Sequence, residues 1–262
     1  MPDDLLATLP VLHPEWAAPD NVHALVSTRQ GGVSTGAWAS LNLSQHVGDD
    51  TQAVAENRRL VERAIGAPIV WMNLVHGAHV VRVTHLNLQQ VRPVADAAWT
   101  TEVGLACAVT AADCLPVFFS AGDGSAVGLA HAGWRGLAAG IVQNTVAAVC
   151  SGTGTRPQDL HVWLGPCIGP LTFEVGNDVL AAFGSDASQP DPLRFALSAQ
   201  RQGSARWLAN LPQLACDALH ASGVHHISGG ALCTVQDDSR FFSYRRDGVT
   251  GRMLAAIWRS AA

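Results

Sequence analysis

HAGWRG, residues 131–136, lies between SAVGLA (125–130) and LAAGIVQNTVAAV (137–149). The first flank is a run of small apolar residues that suits a buried strand, and the second is Ala-rich with a helical pattern. A strand passing almost directly into a helix is a mark of layered α/β or α+β architecture. The junction itself carries His131, Trp134 and Arg135, with Gly133 and Gly136 placed to let the backbone turn sharply. Buried strands do not end in imidazole and guanidinium unless something is held there.

The rest of the chain reads in the same terms. TQAVAENRRLVERAIG predicts an amphipathic helix capped by Asp50 or Thr51 and ended by Gly66. LAAGIVQNTVAAVCSG predicts a helix ending near Gly152, PQLACDALHASG one capped by Asn210 and closed by Gly223, and EVGNDVLAAF a further helical stretch. HALVSTR, VVRVTHL, LACAV, PVFFS, AVGLA, HVWLG, VHHIS and RMLAAIWR read as strands. The Ser-, Pro- and Gln-rich segment 184–206 reads as a surface excursion within one domain spanning residues 1–262.

A chain of 262 residues can bury roughly 70–75 % of its unfolded surface and needs no disulfide staples. Hydrophobic content of 48 % against 14 % charged residues describes a globular protein. A net charge of −5 excludes a dedicated nucleic-acid binder. MPDDLLATLPVLHPEW is no signal peptide, and GLACAVTAADCLPVFFSAG carries Asp113 and Pro116 at its centre, a poor membrane span. The six scattered cysteines then read as reduced thiols of a cytoplasmic protein.

Three strand-edge residues, His76 in LVHGAHV, Cys114 in AADCLPV and His131, have metal-ligand chemistry and would leave a fourth position open. The alternative is two satisfied histidines and a buried thiol. His79 would lie on the opposite face of an extended segment, as a surface or supporting residue. GPCIG (165–169) has the form of a cysteine nucleophile turn, but Pro170 is awkward for the helix such a turn needs. Arg29, Arg135, Arg245 and Arg246 fall in Gly-containing turns that suit an anion cradle. Asn42, His46 and Asn57 are hydrogen-bonding candidates for a sugar or base.

In order, STRQGGVS, SLNLSQHVGD, ENR, VHG, ADCLPV, HAGWRG, GPCIGP…FEV and FFSYRRD…TGR resemble the YfiH-like family, also called the laccase-domain or polyphenol-oxidase family. The resemblance runs from about residue 24 to residue 258. It implies an α+β fold of the CNF1/YfiH-like kind, layered α/β/β/α with mixed β-sheets, and zinc held by His76, Cys114 and His131. It further implies phosphorolysis of adenosine, inosine and methylthioadenosine, and deamination of adenosine. The partners would be a nucleoside and phosphate, without nucleic acid or membrane, for a monomer or weak homo-oligomer. One departure is Leu74, where many members carry glutamine or a similar polar residue. Losing such a support typically weakens metal affinity 10–100-fold.

For phosphorolysis, Arg29, Arg135 and Arg245 are candidates for the anion, Asn42 and Asn57 for the nucleoside, and His46 and Glu174 for proton handling. Deamination would proceed without the usual H-x-E…P-C-x-x-C signature. Multicopper oxidation of phenols is disfavoured, since none of the eleven histidines forms an H-x-H motif, although copper can occupy such a site in vitro. A metal-free cysteine hydrolase, including an amidase for cell-wall precursors, would use Cys114 as nucleophile and His131 as base. A nucleoside-binding module without turnover is the third class.

Overall fold

The computed structural model describes residues 9–86, 92–198 and 206–261. Residues 1–8 of the acidic N-terminus, and 199–205 of the predicted excursion, lie outside the described residues.

One sheet has five strands in the order β1 (Val11–Leu12), β2 (Val22–Ser27), β14 (Met253–Arg259), β6 (Ala106–Ala111) and β3 (Ile69–Trp71). A second has six: β13 (His226–Gly229), β9 (Leu160–Leu164), β7 (Leu115–Ala121), β8 (Val127–Ala132), β5 (Ala97–Thr100) and β4 (Val80–Arg82). Both sheets are mixed, with β3–β6, β4–β5 and β9–β13 parallel and their other pairs antiparallel. A small antiparallel sheet joins β10 (Glu174–Val175), β12 (Trp207–Ala209) and β11 (Phe195–Leu197). The helices are α1 (Thr51–Ile65), α2 (Trp134–Ala138), α3 (Ile141–Thr153), α4 (Asn177–Ala182), α5 (Leu211–Ala221) and α6 (Tyr244–Asp247).

Strand alternation sorts the core into layers. Cys107 and Val109 of β6, with Ala255 and Ile257 of β14, meet Val127 and Leu129 of β8 and Phe118 of β7 between the two large sheets. The intervening residues face outward: Ala106, Ala108, Leu254 and Ala256 pack on Val61, Ala64 and Ile65 of α1. Leu115, Val117, Ala130 and Ala132 pack on Ile141, Val146 and Leu214 of α3 and α5. The result is the expected α/β/β/α layering.

The predicted caps of α1 and α5 are present. Asp50 accepts the Gln52 and Ala53 N–H groups, Gly66 closes α1 at φ 68°, and Asn210 accepts the Gln213 N–H. The segment 137–152 read as one helix is broken at Gly140, φ 92°, which separates α2 from α3, while α3 ends at Thr153, near Gly152 as expected, and is closed by Gly154 at φ 78°. Gly152 also allows close packing, since a Cβ there would fall 2.0 Å from the Trp99 ring. EVGNDVLAAF is split, with Glu174 and Val175 in a strand and only Asn177–Ala182 helical. Among the described residues no helix is long and apolar enough to cross a membrane.

Candidate metal centre and cleft

Pro116 pairs with His131 and Leu115 with Ala132, so the start of β7 meets the end of β8. Cys114 immediately precedes β7, and His76 comes from the loop before β4. Their ligand atoms all lie within 4.8 Å of one another. Cys114 Sγ is 3.8 Å from His76 Nε2, and the two imidazoles stand edge-on with centroids 4.9 Å apart.

One residue supporting this group, Asp96, is absent from the sequence reading. It is fully buried, and its Oδ1 accepts the His131 Nδ1 proton at 3.0 Å. The same carboxylate accepts the N–H groups of Val75, His76 and Gly77 at 3.2, 2.9 and 2.8 Å. These bonds hold His76 at φ 59°, a region that non-glycine residues seldom adopt. Burial pushes the Asp96 carboxyl up, but its bonds to His131, Gly77 and Val75 outweigh that and leave it lowered. Leu74 packs on the apolar core between the sheets and lines the cleft.

Gly133 and Gly136 have a different purpose from the sharp turn expected of them. Gly133 has ordinary extended backbone, φ −69° and ψ 162°. A Cβ on Gly133 would lie 2.9 Å from Cys114 Sγ and 3.1 Å from His76 Cδ2; one on Gly136 would lie 2.9 Å from the Gly77 carbonyl. Both glycines make room for neighbouring chain at the metal group.

Burial pushes the Cys114 thiol up and the His131 imidazole down, but their mutual attraction wins, leaving Cys114 at about 6 and His131 at about 9. A thiolate and two imidazoles form a borderline-soft donor set, and Asp96 occupies His131 Nδ1, leaving Nε2 for an ion. The three residues fit a zinc-type site with an open position.

This group lies in a cleft of about 590 Å³ lined, among the described residues, by Arg58, Arg92, Arg135, Arg245 and Arg252 and by a single carboxylate, Asp113. Thr234 Oγ1 donates to Asp113 Oδ1 at 2.6 Å and the Arg245 N–H to Oδ2 at 2.7 Å. Arg58 lies over the Trp71 ring at 3.8 Å, and burial followed by neighbouring Arg92 lowers its guanidinium to about 10. Arg252 is likewise lowered, first by burial. Guanidinium groups held this way in a cleft attract anions.

Of the residues expected to act here, His46, Arg135 and Arg245 line the cleft. Four others are placed elsewhere. Asn57 is fully buried; its amide donates to Ser34 Oγ, the Ser40 carbonyl and the Asn42 carbonyl, and its Oδ1 accepts the Val33 N–H. Asn42 is also buried, bonded to Asp49, Ser44 and the Arg252 N–H. Both asparagines therefore hold the 28–50 loop together and have no group left for a nucleoside. Arg29 donates to the carbonyls of Ala39 and Asp238 away from the cleft. Glu174 accepts from Ser198 Oγ, and its neighbour Phe173, not Glu174 itself, lines the cleft. Arg58, Arg92 and Arg252 were missed as cleft residues, although ENR and TGR had drawn attention on other grounds. His79 is exposed, Trp134 both packs on the core and lines the cleft, and Cys167 is fully buried rather than presented as a nucleophile.

Residues 23–260 match the family model described as multi-copper polyphenol oxidoreductase laccase. Purine nucleoside phosphorylase PA4543 of Pseudomonas aeruginosa is 42 % identical over 247 residues, covering 94 % of this chain and 97 % of that one. Purine nucleoside phosphorylase YfiH of Escherichia coli has the same identity and coverage. Among solved structures, the Neisseria meningitidis protein NMB0706 superposes with a TM-score of 0.86 at 44 % identity, covering 96 % of this chain and 99 % of that one. YlmD of Geobacillus stearothermophilus superposes with a TM-score of 0.83 at 34 % identity, covering 97 % and 99 %.

Proposed function

The chain belongs to the YfiH-like laccase-domain family, and from that premise we propose that it is a zinc-dependent purine nucleoside phosphorylase acting on adenosine, inosine and methylthioadenosine, and deaminating adenosine. The observation that carries this reading is a three-residue group able to hold a metal, opening into a cleft that among the described residues has five arginines and one carboxylate. That charge balance suits phosphate beside a neutral nucleoside, and relatives at 42 % identity are named purine nucleoside phosphorylases.

In phosphorolysis a phosphate oxygen bonds to ribose C1′ while the bond from C1′ to purine N9 breaks. Arg135, Arg245 and Arg252 hold and orient the phosphate, and Trp134 and Phe173 present apolar surface to the base. His46, exposed at the cleft, donates a proton to purine N7 as charge builds on the leaving base. Zinc held by His76, Cys114 and His131 supplies Lewis acidity when bound. Asp96 keeps His131 in the tautomer that presents Nε2.

A second reading draws on the same residues. Without metal, Cys114, His131 and Asp96 form a thiolate–imidazolium–carboxylate line suited to a cysteine hydrolase or cell-wall-precursor amidase. Mass spectrometry of products from zinc-loaded protein and adenosine, with and without phosphate, separates the readings. Phosphate-dependent adenine and ribose 1-phosphate, lost in His131→Ala, are expected; inosine reports deamination. No product under either condition would refute the nucleoside assignment. Amidase activity that survives chelation and dies on alkylation would establish the hydrolase.

A further inference from the structure

Cys167 and Cys233 face each other across a short parallel bridge, separate from the metal group. The Cys167 N–H donates to the Leu232 carbonyl at 3.2 Å, and the Thr234 N–H donates to the Cys167 carbonyl at 2.9 Å. This pairing sets the two cysteines opposite one another with their side chains on the same side of the ladder.

Their surroundings differ. Cys167 is fully buried, and burial, with Cys233 and Cys114 nearby, pushes its thiol well up. Cys233 is half-buried. Its sulfur accepts the Gly169 N–H at 3.2 Å and lies 3.4 Å from Thr172 Oγ1, and the backbone N–H groups of Gln236 and Val235 nearby also favour its charged form. Burial pushes the Cys233 thiol up, but these donors outweigh it and leave it lowered. Glycine at 169 permits the close approach, since a Cβ there would lie 3.0 Å from Cys233 Sγ. A half-buried sulfur cradled by hydrogen-bond donors thus sits opposite a fully buried thiol across the bridge, the arrangement of an attacking and a resolving cysteine.

We propose that Cys233 is a peroxide-reactive modification site whose sulfenic acid is resolved by Cys167 into an intramolecular disulfide. The Cys233 thiolate sulfur attacks one oxygen of hydrogen peroxide; the O–O bond breaks and hydroxide leaves. The sulfur, oxidised by two electrons, becomes S–OH. The Cys167 sulfur then attacks the Cys233 sulfur, the S–O bond breaks, and hydroxide departs with the Cys167 proton as water. Cys150 and Cys216 are half-buried thiols raised by burial and by nearby Asp159 and Asp217, and serve as internal controls. The pair is also tied to the cleft. Thr234, next to Cys233, holds Asp113, and Ile168, next to Cys167, forms part of the cleft wall.

The test exposes reduced, zinc-loaded full-length protein to stoichiometric hydrogen peroxide, blocks free thiols with N-ethylmaleimide, and digests without reductant. Mass spectrometry is expected to find a Cys167–Cys233 linked peptide in the wild type. A dimedone adduct on Cys233 is expected in Cys167→Ala, and no link in Cys233→Ser. Competition labelling of the wild type, which needs no variant, is expected to modify Cys233 at least about tenfold faster than Cys150 or Cys216. Equal rates for the three, or oxidation of Cys233 with no link to Cys167, would overturn the proposal.

Discussion

Asp96 and His131 form a buried ion-pair contact, with Oδ1 3.0 Å from Nδ1 and side-chain exposures of 0 % and 3 %. The same carboxylate gathers three consecutive N–H groups around His76, so one anion positions one ligand through its ring and another through its backbone. Asp96→Asn keeps the shape but removes the charge. Zinc affinity is expected to fall roughly 10–100-fold, measured by competition with a chromophoric chelator. Unchanged affinity would mean that packing alone sets the ring.

Gly133→Ala puts a methyl group 2.9 Å from Cys114 Sγ on backbone that tolerates alanine. The expected outcome is a folded protein with little bound zinc, checked by far-UV circular dichroism and elemental analysis. Full zinc content in a folded variant would show that the thiol moves aside at no cost.

In the metal-free protein the Cys114 thiolate is the form populated above about pH 6, because attraction to His131 outweighs burial. Lowering the pH through that value protonates it. Alkylation by iodoacetamide is therefore expected to climb through about pH 6 and level off above it, with the midpoint moving up in His131→Ala. A wild-type midpoint near the ordinary thiol value of about 8.5 would contradict the ion pair.

Arg252→Gln tests the anion side of the proposed phosphorylase. Loss of one bond to a charged group costs about 1.5–3 kcal/mol, so the phosphate KM should rise roughly 10–100-fold. The nucleoside KM should stay near its wild-type value in steady-state kinetics. The converse pattern would place the base, not the phosphate, at Arg252.

Asn57→Ala removes a buried amide that ties four groups of the 28–50 loop. Stability in urea should drop by about 2–4 kcal/mol, while zinc affinity remains that of the wild type. A drop under about 0.5 kcal/mol would mean that water replaces the lost bonds.

Apolar runs bounded by turn residues disclosed β7, β8, β9 and β14, and paired cap signals disclosed α1 and α5. Strand β5 escaped, because AAWT is only four residues long and opens on two alanines, which strands disfavour. Asp96 escaped with it, a lone carboxylate whose importance exists only once β5 lies beside β8. The three candidate ligands lie far apart in the chain; their donor chemistry at strand edges nominated them, and the family resemblance rather than spacing favoured a metal over two satisfied histidines and a buried thiol. Asn42 and Asn57 misled because a polar side chain in a Gly-rich loop looks the same whether it faces a ligand or the loop's own carbonyls. Glu174 misled because a carboxylate beside a cleft residue looks the same whether it faces the cleft or, as here, a neighbouring serine of the small sheet.

The pairing of Pro116 with His131 carries a last consequence. Odd-numbered residues of β8 face the space between the large sheets, and even-numbered ones face the helices. A hairpin shifted by a single residue would send the imidazole into the helix-side core and leave an alanine facing the thiol. The three donor groups at Cys114 therefore come together in one hairpin register alone, so the geometry of the candidate metal site is written into the pairing of β7 with β8.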